Sequence, residues 1–156
     1  MTKTDTPANA ELTIKRTFDA PRELVWAVWT EPKHVMHWWG PHDYGNPLVE
    51  YDLRPGGKLR MHMQAPDGTI FVTHGAFEDI VAPERLVFVM SVEFEAGVVG
   101  IEARTTVTLE EANGKTDVTM HQIYLKVAPF AVDAVGGAQA GWTQSFEKLD
   151  DYLRTV

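Results

Sequence analysis

Six histidines, five tryptophans and a set of strand-borne methionines are the side chains of this chain that could do chemistry. His34 and His37 stand three positions apart with His42 close behind, a spacing that could gather imidazoles around a metal. A histidine site needs further ligands and carboxylates fixed around it. The neighbouring acids, Glu31 and Asp43, belong to no ligand motif such as H-E-x-x-H, so no metal is expected. His62 and His74 fall at even positions of adjacent strand-like segments. Were their shared face to look inward, with His121 or Glu102 beside it, a polar pocket centre would result.

Apolar recognition has more candidates. Trp38-Trp39-Gly40-Pro41 places two indoles side by side. They could stack on a flat apolar ligand at a cavity mouth, or one could be core while Gly-Pro stops a helix. Met61, Met63, Met90 and Met120 lie in strand-like segments, where flexible thioethers fill a core or line an irregular apolar cavity. In Asp52-Leu53-Arg54, the guanidinium could grip a ligand carboxylate or satisfy its own turn. Ser91 and Ser145 are the two serines and neither sits in a G-x-S-x-G elbow. Gly56-Gly57 and Gly136-Gly137 lack the spacing and lysine of a phosphate loop. With no cysteine, disulfides, zinc-thiolate sites and thiol nucleophiles are excluded.

The elements that must position these residues follow from periodicity and turn chemistry. Leu12, Ile14 and Arg16 alternate with Thr13, Lys15 and Thr17 from Glu11 onward, which predicts a strand. Pro21 suits the first position of a helix, and Leu24, Val25, Val28 and Trp29 give that helix an apolar stripe. Thr30 reads as the N-cap of a second short helix that carries Val35, Met36 and Trp38 and ends at Gly40-Pro41. Strand-like segments follow at 47–53, 58–64, 69–80, 85–94, within 100–110, and at 116–126, with Asn113-Gly114 the strongest hairpin signal. Connections this short make the neighbours antiparallel. The last element is expected from about Pro129 to Arg154, with Trp142, Phe146, Leu149 and Leu153 on one helical face. Gly136, Gly137 and Gly141 weaken its first half. The expected fold class is α+β: a curved antiparallel sheet of six or seven strands wrapping a long C-terminal helix, with two short helices after the first strand.

The chain of 156 residues has the length of one domain, read as a disordered tail at 1–10 and a single domain at 11–156. A net charge of −8 opposes binding to phosphate backbones, so no nucleic-acid partner is expected. The longest apolar runs are strand-sized, which argues against membrane insertion. The polar start has no signal-peptide core, and a cytoplasmic protein, monomer or homodimer, is the natural expectation.

Several of these strings occur together and in order: Asp19-Ala20-Pro21-Arg22-Glu23-Leu24-Val25-Trp26, Trp29-Thr30-Glu31-Pro32, Trp38-Trp39-Gly40-Pro41, and Asp52-Leu53-Arg54-Pro55-Gly56-Gly57. Pro66-Asp67-Gly68, Pro83-Glu84-Arg85-Leu86 and Gly141-Trp142 with Leu149 and Tyr152 continue the series. The set resembles the family of heat-shock-protein-90 ATPase activator homologues in its stand-alone bacterial form, within the START-like (SRPBCC) superfamily, over about residues 11–154. The resemblance implies the helix-grip (START/Bet v-like) fold, a β-α-α-β₆-α order, and a cavity between sheet and last helix. It implies no particular reaction.

The expected function is therefore a domain that binds or carries a small hydrophobic ligand, without a cofactor and more a binder than an enzyme. Trp38, Trp39, Met61, Met63 and Met90 are the candidate cavity residues, together with Trp142 and Phe146 on the last helix. His62, His74 and His121 complete the set as its polar members. The alternatives are an enzyme of the cyclase or hydrolase sort built on those histidines, and a chaperone-interacting or stress-response accessory protein.

Overall fold

A computed structural model describes residues 10–156. The tail expected at 1–10 falls almost wholly outside the described residues. Ala10, just before β1, accepts the backbone N–H of Tyr124 on its carbonyl at 2.9 Å. The elements run β1 (Glu11–Phe18), α1 (Arg22–Thr30), α2 (Pro32–Val35), β2 (Gly45–Tyr51), β3 (Lys58–Gln64), β4 (Ile70–Val81) and β5 (Arg85–Glu95). They continue with β6 (Val98–Ala112), β7 (Lys115–Val127), a 3₁₀ turn (Pro129–Ala131), α3 (Val132–Gly136) and α4 (Ala138–Leu153).

The seven strands form one sheet in the order β1-β7-β6-β5-β4-β3-β2, every neighbouring pair antiparallel. Six of them meander, and β1 closes the order by pairing with β7, Ile14 opposite Met120. Period-two patterning decides which face is inside. In β7, Thr116, Val118, Met120, Gln122 and Tyr124 are buried, while the residues between them are less so. Register shifts at Phe77/Asp79, Val92/Glu93 and Glu102/Ala103 insert bulges that bend the strands and curve the sheet around its buried face.

That concave face holds α4. Phe146 and Leu149 are buried to 1% and 0% exposure and Leu153 to 8%, as the helical spacing demands. Phe146 meets Phe18 of β1 edge-on at 5.7 Å, and Trp142 stacks on Trp29 of α1 at 6.5 Å. The helix is shorter than the expected 129–154. α3 ends at Gly136 and α4 starts at Ala138, so the paired glycines break the first half. This is the helix-grip arrangement.

Two local expectations are corrected. Thr30 does not cap α2; it ends α1, its hydroxyl donating back to the carbonyl of Trp26 at 2.8 Å, an i−4 bond that suits a helical threonine. α2 is one turn long and stops at Val35, so Trp38 lies in the turn that follows. Its indole N–H donates to the Val28 carbonyl at 2.9 Å and its ring packs on Trp29 at 4.6 Å.

Candidate functional site

Sheet and α4 close tightly over one half of the concave face only. Around Phe18, Phe77, Leu86, Leu109, Leu149 and Leu153 the core is full. Toward the β3–β4 and β5–β6 turns, where the helix breaks at Gly136–Gly137, a cavity of about 410 Å³ remains. That lies within the usual range for small-molecule sites, roughly 300–1,000 Å³. Its sheet wall is Met63 (β3), Phe71 (β4), Met90 and Val92 (β5), and Ile101 and Ala103 (β6). The helical side is small, Ala134, Gly137, Ala138 and Gly141, and the inner end is closed by Trp39 and Trp142 in edge contact at 5.0 Å. The broken, glycine-containing start of the last helix thus leaves room where a continuous helix with larger side chains would fill it.

Polar groups on this wall are few and uncharged. The Tyr124 hydroxyl donates to the Gln122 side-chain oxygen at 2.8 Å, and the Gln122 amide donates to Thr105 Oγ1 at 3.0 Å. Gln122 and Tyr124 line the cavity together with Thr73 and Ser145. Burial pushes the Tyr124 phenol up to about 12, so it keeps its proton and serves as a neutral hydrogen-bonding group throughout the physiological range. Among the described residues, no Asp, Glu, His, Lys or Arg side chain lines the cavity.

The loop from Trp39 to Tyr44 forms the rim and is fastened to α4 by Lys148. Lys148 Nζ donates to the carbonyls of Trp39, Gly40, Pro41 and Tyr44 at 3.2–3.4 Å. Three N–H bonds serve four carbonyls, so at least one is shared. Desolvation draws the ammonium below the ordinary lysine value, and Asp43 opposes that shift. Gln144 accepts the backbone N–H of His42 at 3.0 Å, and Glu147 contacts the His42 ring at 2.9 Å. Gly40 sits at φ +93°, a backbone conformation that favours glycine, and faces Met63 Sδ of the wall. Replacing Lys148 with methionine is expected to cost about 1.5–3 kcal/mol, the range for hydrogen bonds to a charged group. Hydrogen exchange at residues 39–44 should accelerate with it; unchanged exchange there would show that the loop is held by other contacts.

The cavity takes in four of the ten sequence candidates, Trp39, Met63, Met90 and Trp142. Trp38, Met61 and Phe146 are core, each at most 1% exposed. His62, His74 and His121 lie on the outer face of the sheet, because each alternates with a concave-face residue: Met61, Thr73 and Met120. There His74 contacts Glu93 at 2.9 Å and His121 contacts Glu11 at 2.7 Å. No inward histidine cluster is assembled. His34 meets the Tyr152 hydroxyl at 2.6 Å and His37 stacks on the same ring at 5.1 Å. Arg54 closes on Asp52 at 2.8 Å, the turn reading of that pair. Gln122 and Tyr124 were missed, although their signal was present: two polar residues in phase with Val118 and Met120 on a strand's buried face.

The family model described as activator of Hsp90 ATPase homolog 1-like protein matches residues 19–154. No curated protein matches the chain. Among solved structures, a protein of Arthrobacter aurescens determined by solution NMR is 28% identical, with a TM-score of 0.83 over 94% of this chain and 87% of that one. A protein of Nitrosomonas europaea is 26% identical, with a TM-score of 0.78 over 96% and 97% of the two chains. The AHSA1 protein of Silicibacter pomeroyi, at 21% identity, shares the fold with a TM-score of 0.79 over 94% of this chain and 99% of that one.

Proposed function

We propose, from the premise that the chain belongs to the activator of Hsp90 ATPase homolog 1-like family, that it binds or carries a small apolar molecule between its sheet and α4. The observation that carries this reading is the cavity of about 410 Å³, walled by aromatic, methionine and small aliphatic side chains. Removing apolar surface from water supplies roughly 25 cal/mol per Å², and walls such as Met63 and Met90 adapt to irregular ligands. The mouth has an apolar border: Phe130 is 56% exposed and packs edge-on against Phe94, which lines the cavity, at 5.6 Å. Ile70, Val98 and Val99 are exposed at the same end of the sheet.

Binding is favoured over catalysis because, among the described residues, the cavity presents no group that could take up or release a proton near neutral pH. The chaperone role that the family description names is a second reading, and no feature of the cavity speaks for it. For the described residues, no helix is long and apolar enough to cross a membrane.

Thermal melting with 2-methylnaphthalene tests the binding reading. Ligand at a hundredfold excess over its Kd stabilises by about 2.7 kcal/mol, which for a chain of this length raises Tm by roughly 5–10 °C. Native mass spectrometry should show one bound molecule. A flat melting response to methylated naphthalenes and to longer polyaromatics, with no bound mass, would sink the proposal.

A further inference from the structure

We propose that the cavity selects an uncharged apolar molecule bearing one hydroxyl or carbonyl oxygen, and that Gln122 and Tyr124 read that oxygen. This rests on the binding reading above and names the ligand's chemical class.

Unspent hydrogen-bonding capacity points to it. A glutamine side chain offers two N–H donors and an oxygen with two lone pairs. In Gln122 one N–H goes to Thr105 Oγ1 and one lone pair receives the Tyr124 hydroxyl. Both partners are hydroxyls, so the amide could sit either way round with the same bonds made. In each case one N–H and one lone pair remain. With the Tyr124 hydrogen donated to Gln122, the Tyr124 oxygen keeps its lone pairs; with the amide reversed, that oxygen accepts from Gln122, keeps one lone pair, and its hydrogen is free to donate. These groups line the cavity while being only 5% and 4% exposed. Thr105, behind them, is fully buried and holds the amide in place. A ligand hydroxyl could accept from the free Gln122 N–H and donate to the Tyr124 oxygen. A carbonyl could make the first bond alone. A purely apolar ligand would bury both groups with that capacity unmet, and buried polar groups left unpaired weaken a complex.

Charge is selected against by the same surroundings. Among the described residues, a carboxylate brought into the cavity would meet no cationic side chain on its lining. Lys148, at the rim, has its ammonium turned to four backbone carbonyls. An uncompensated ion in a water-poor site is strongly disfavoured. The Tyr124 phenol holds its proton, so it adds no negative charge that would recruit a cation.

The matched series 2-methylnaphthalene, 2-naphthalenemethanol and 2-naphthoate separates these effects by isothermal titration calorimetry. The alcohol is expected to bind about tenfold more tightly than the methyl compound, one net hydrogen bond's worth. The carboxylate should bind at least about a hundredfold more weakly than the alcohol. Gln122→Leu should bring alcohol and methyl compound to equal affinity, and Tyr124→Phe should reduce the preference; the parent chain's own ranking decides the matter should either variant fail to fold. Equal affinities across the series in the parent chain would overturn this inference and leave the binding reading standing. Binding of none of the three, nor of longer polyaromatics, would overturn both.

Discussion

Replacing Phe146 with alanine is expected to cost about 3–5 kcal/mol, the range for truncating a fully buried aromatic side chain. Phe146 is 1% exposed and stands where three groups meet: Phe18 of β1 at 5.7 Å, Trp29 of α1 at 6.0 Å and Trp142 one turn earlier at 6.3 Å. Trp29 and Trp142 also pack on each other and on Trp39, so neither ring moves into the space without leaving another contact. Domains of ordinary stability have roughly 5–15 kcal/mol in total, so the variant should be half-unfolded at much lower urea than the parent. Phe130→Ala is the control. That ring is 56% exposed, and its loss should cost about 1 kcal/mol or less. Equal costs for the two substitutions would mean that α4 is not gripped by the sheet.

The second large effect concerns binding alone. Ala103 is 3% exposed, lies on the cavity wall, and pairs in register with Met90 and Tyr124 of the adjacent strands. Ala103→Trp directs an indole into the open space rather than into packed neighbours. The overpacking penalty of roughly 1–3 kcal/mol seen in filled cores should then be largely absent. Affinity for 2-methylnaphthalene should fall by at least about a hundredfold, near 2.7 kcal/mol, while urea denaturation is little changed. Retained affinity would place the ligand elsewhere. A collapse of stability would show that the space is already occupied by the chain itself.

The strands and the gripping helix were legible in the sequence because their signals are local. Leu59, Met61 and Met63 alternate with Lys58, Arg60 and His62, and β3 runs over the residues that this pattern marks. Asn113 and Gly114 both take positive φ at the β6–β7 turn, which the Asn-Gly pair foretells. The weak first half of the last helix was visible in its glycines. Strand faces were harder. Which of two alternating sets looks inward depends on the curvature of the whole sheet, so the shared face of His62 and His74 could be read but not its direction. Lys148 shows the same limit from the other side. Its place among Gln144, Glu147 and Asp151 marks a polar helix face, and nothing local reveals that a distant loop lays four carbonyls across it. The separation of Trp38 from Trp39 depends on the turn after α2, where one residue's rotation sends one indole to the Val28 carbonyl and the other to the cavity.

Methionine-methyl NMR tests the central claim, an apolar ligand seated between sheet and α4, most directly. Met63 and Met90 line the cavity, Met61 and Met120 are buried outside it, and Met36 is exposed. On addition of 2-naphthalenemethanol, the methyl resonances of Met63 and Met90 should move the most and show intermolecular contacts with the naphthalene ring, while those of Met120 and Met36 stay within line width. Saturating ligand that leaves Met63 and Met90 unmoved, or that contacts Met36 instead, would contradict it.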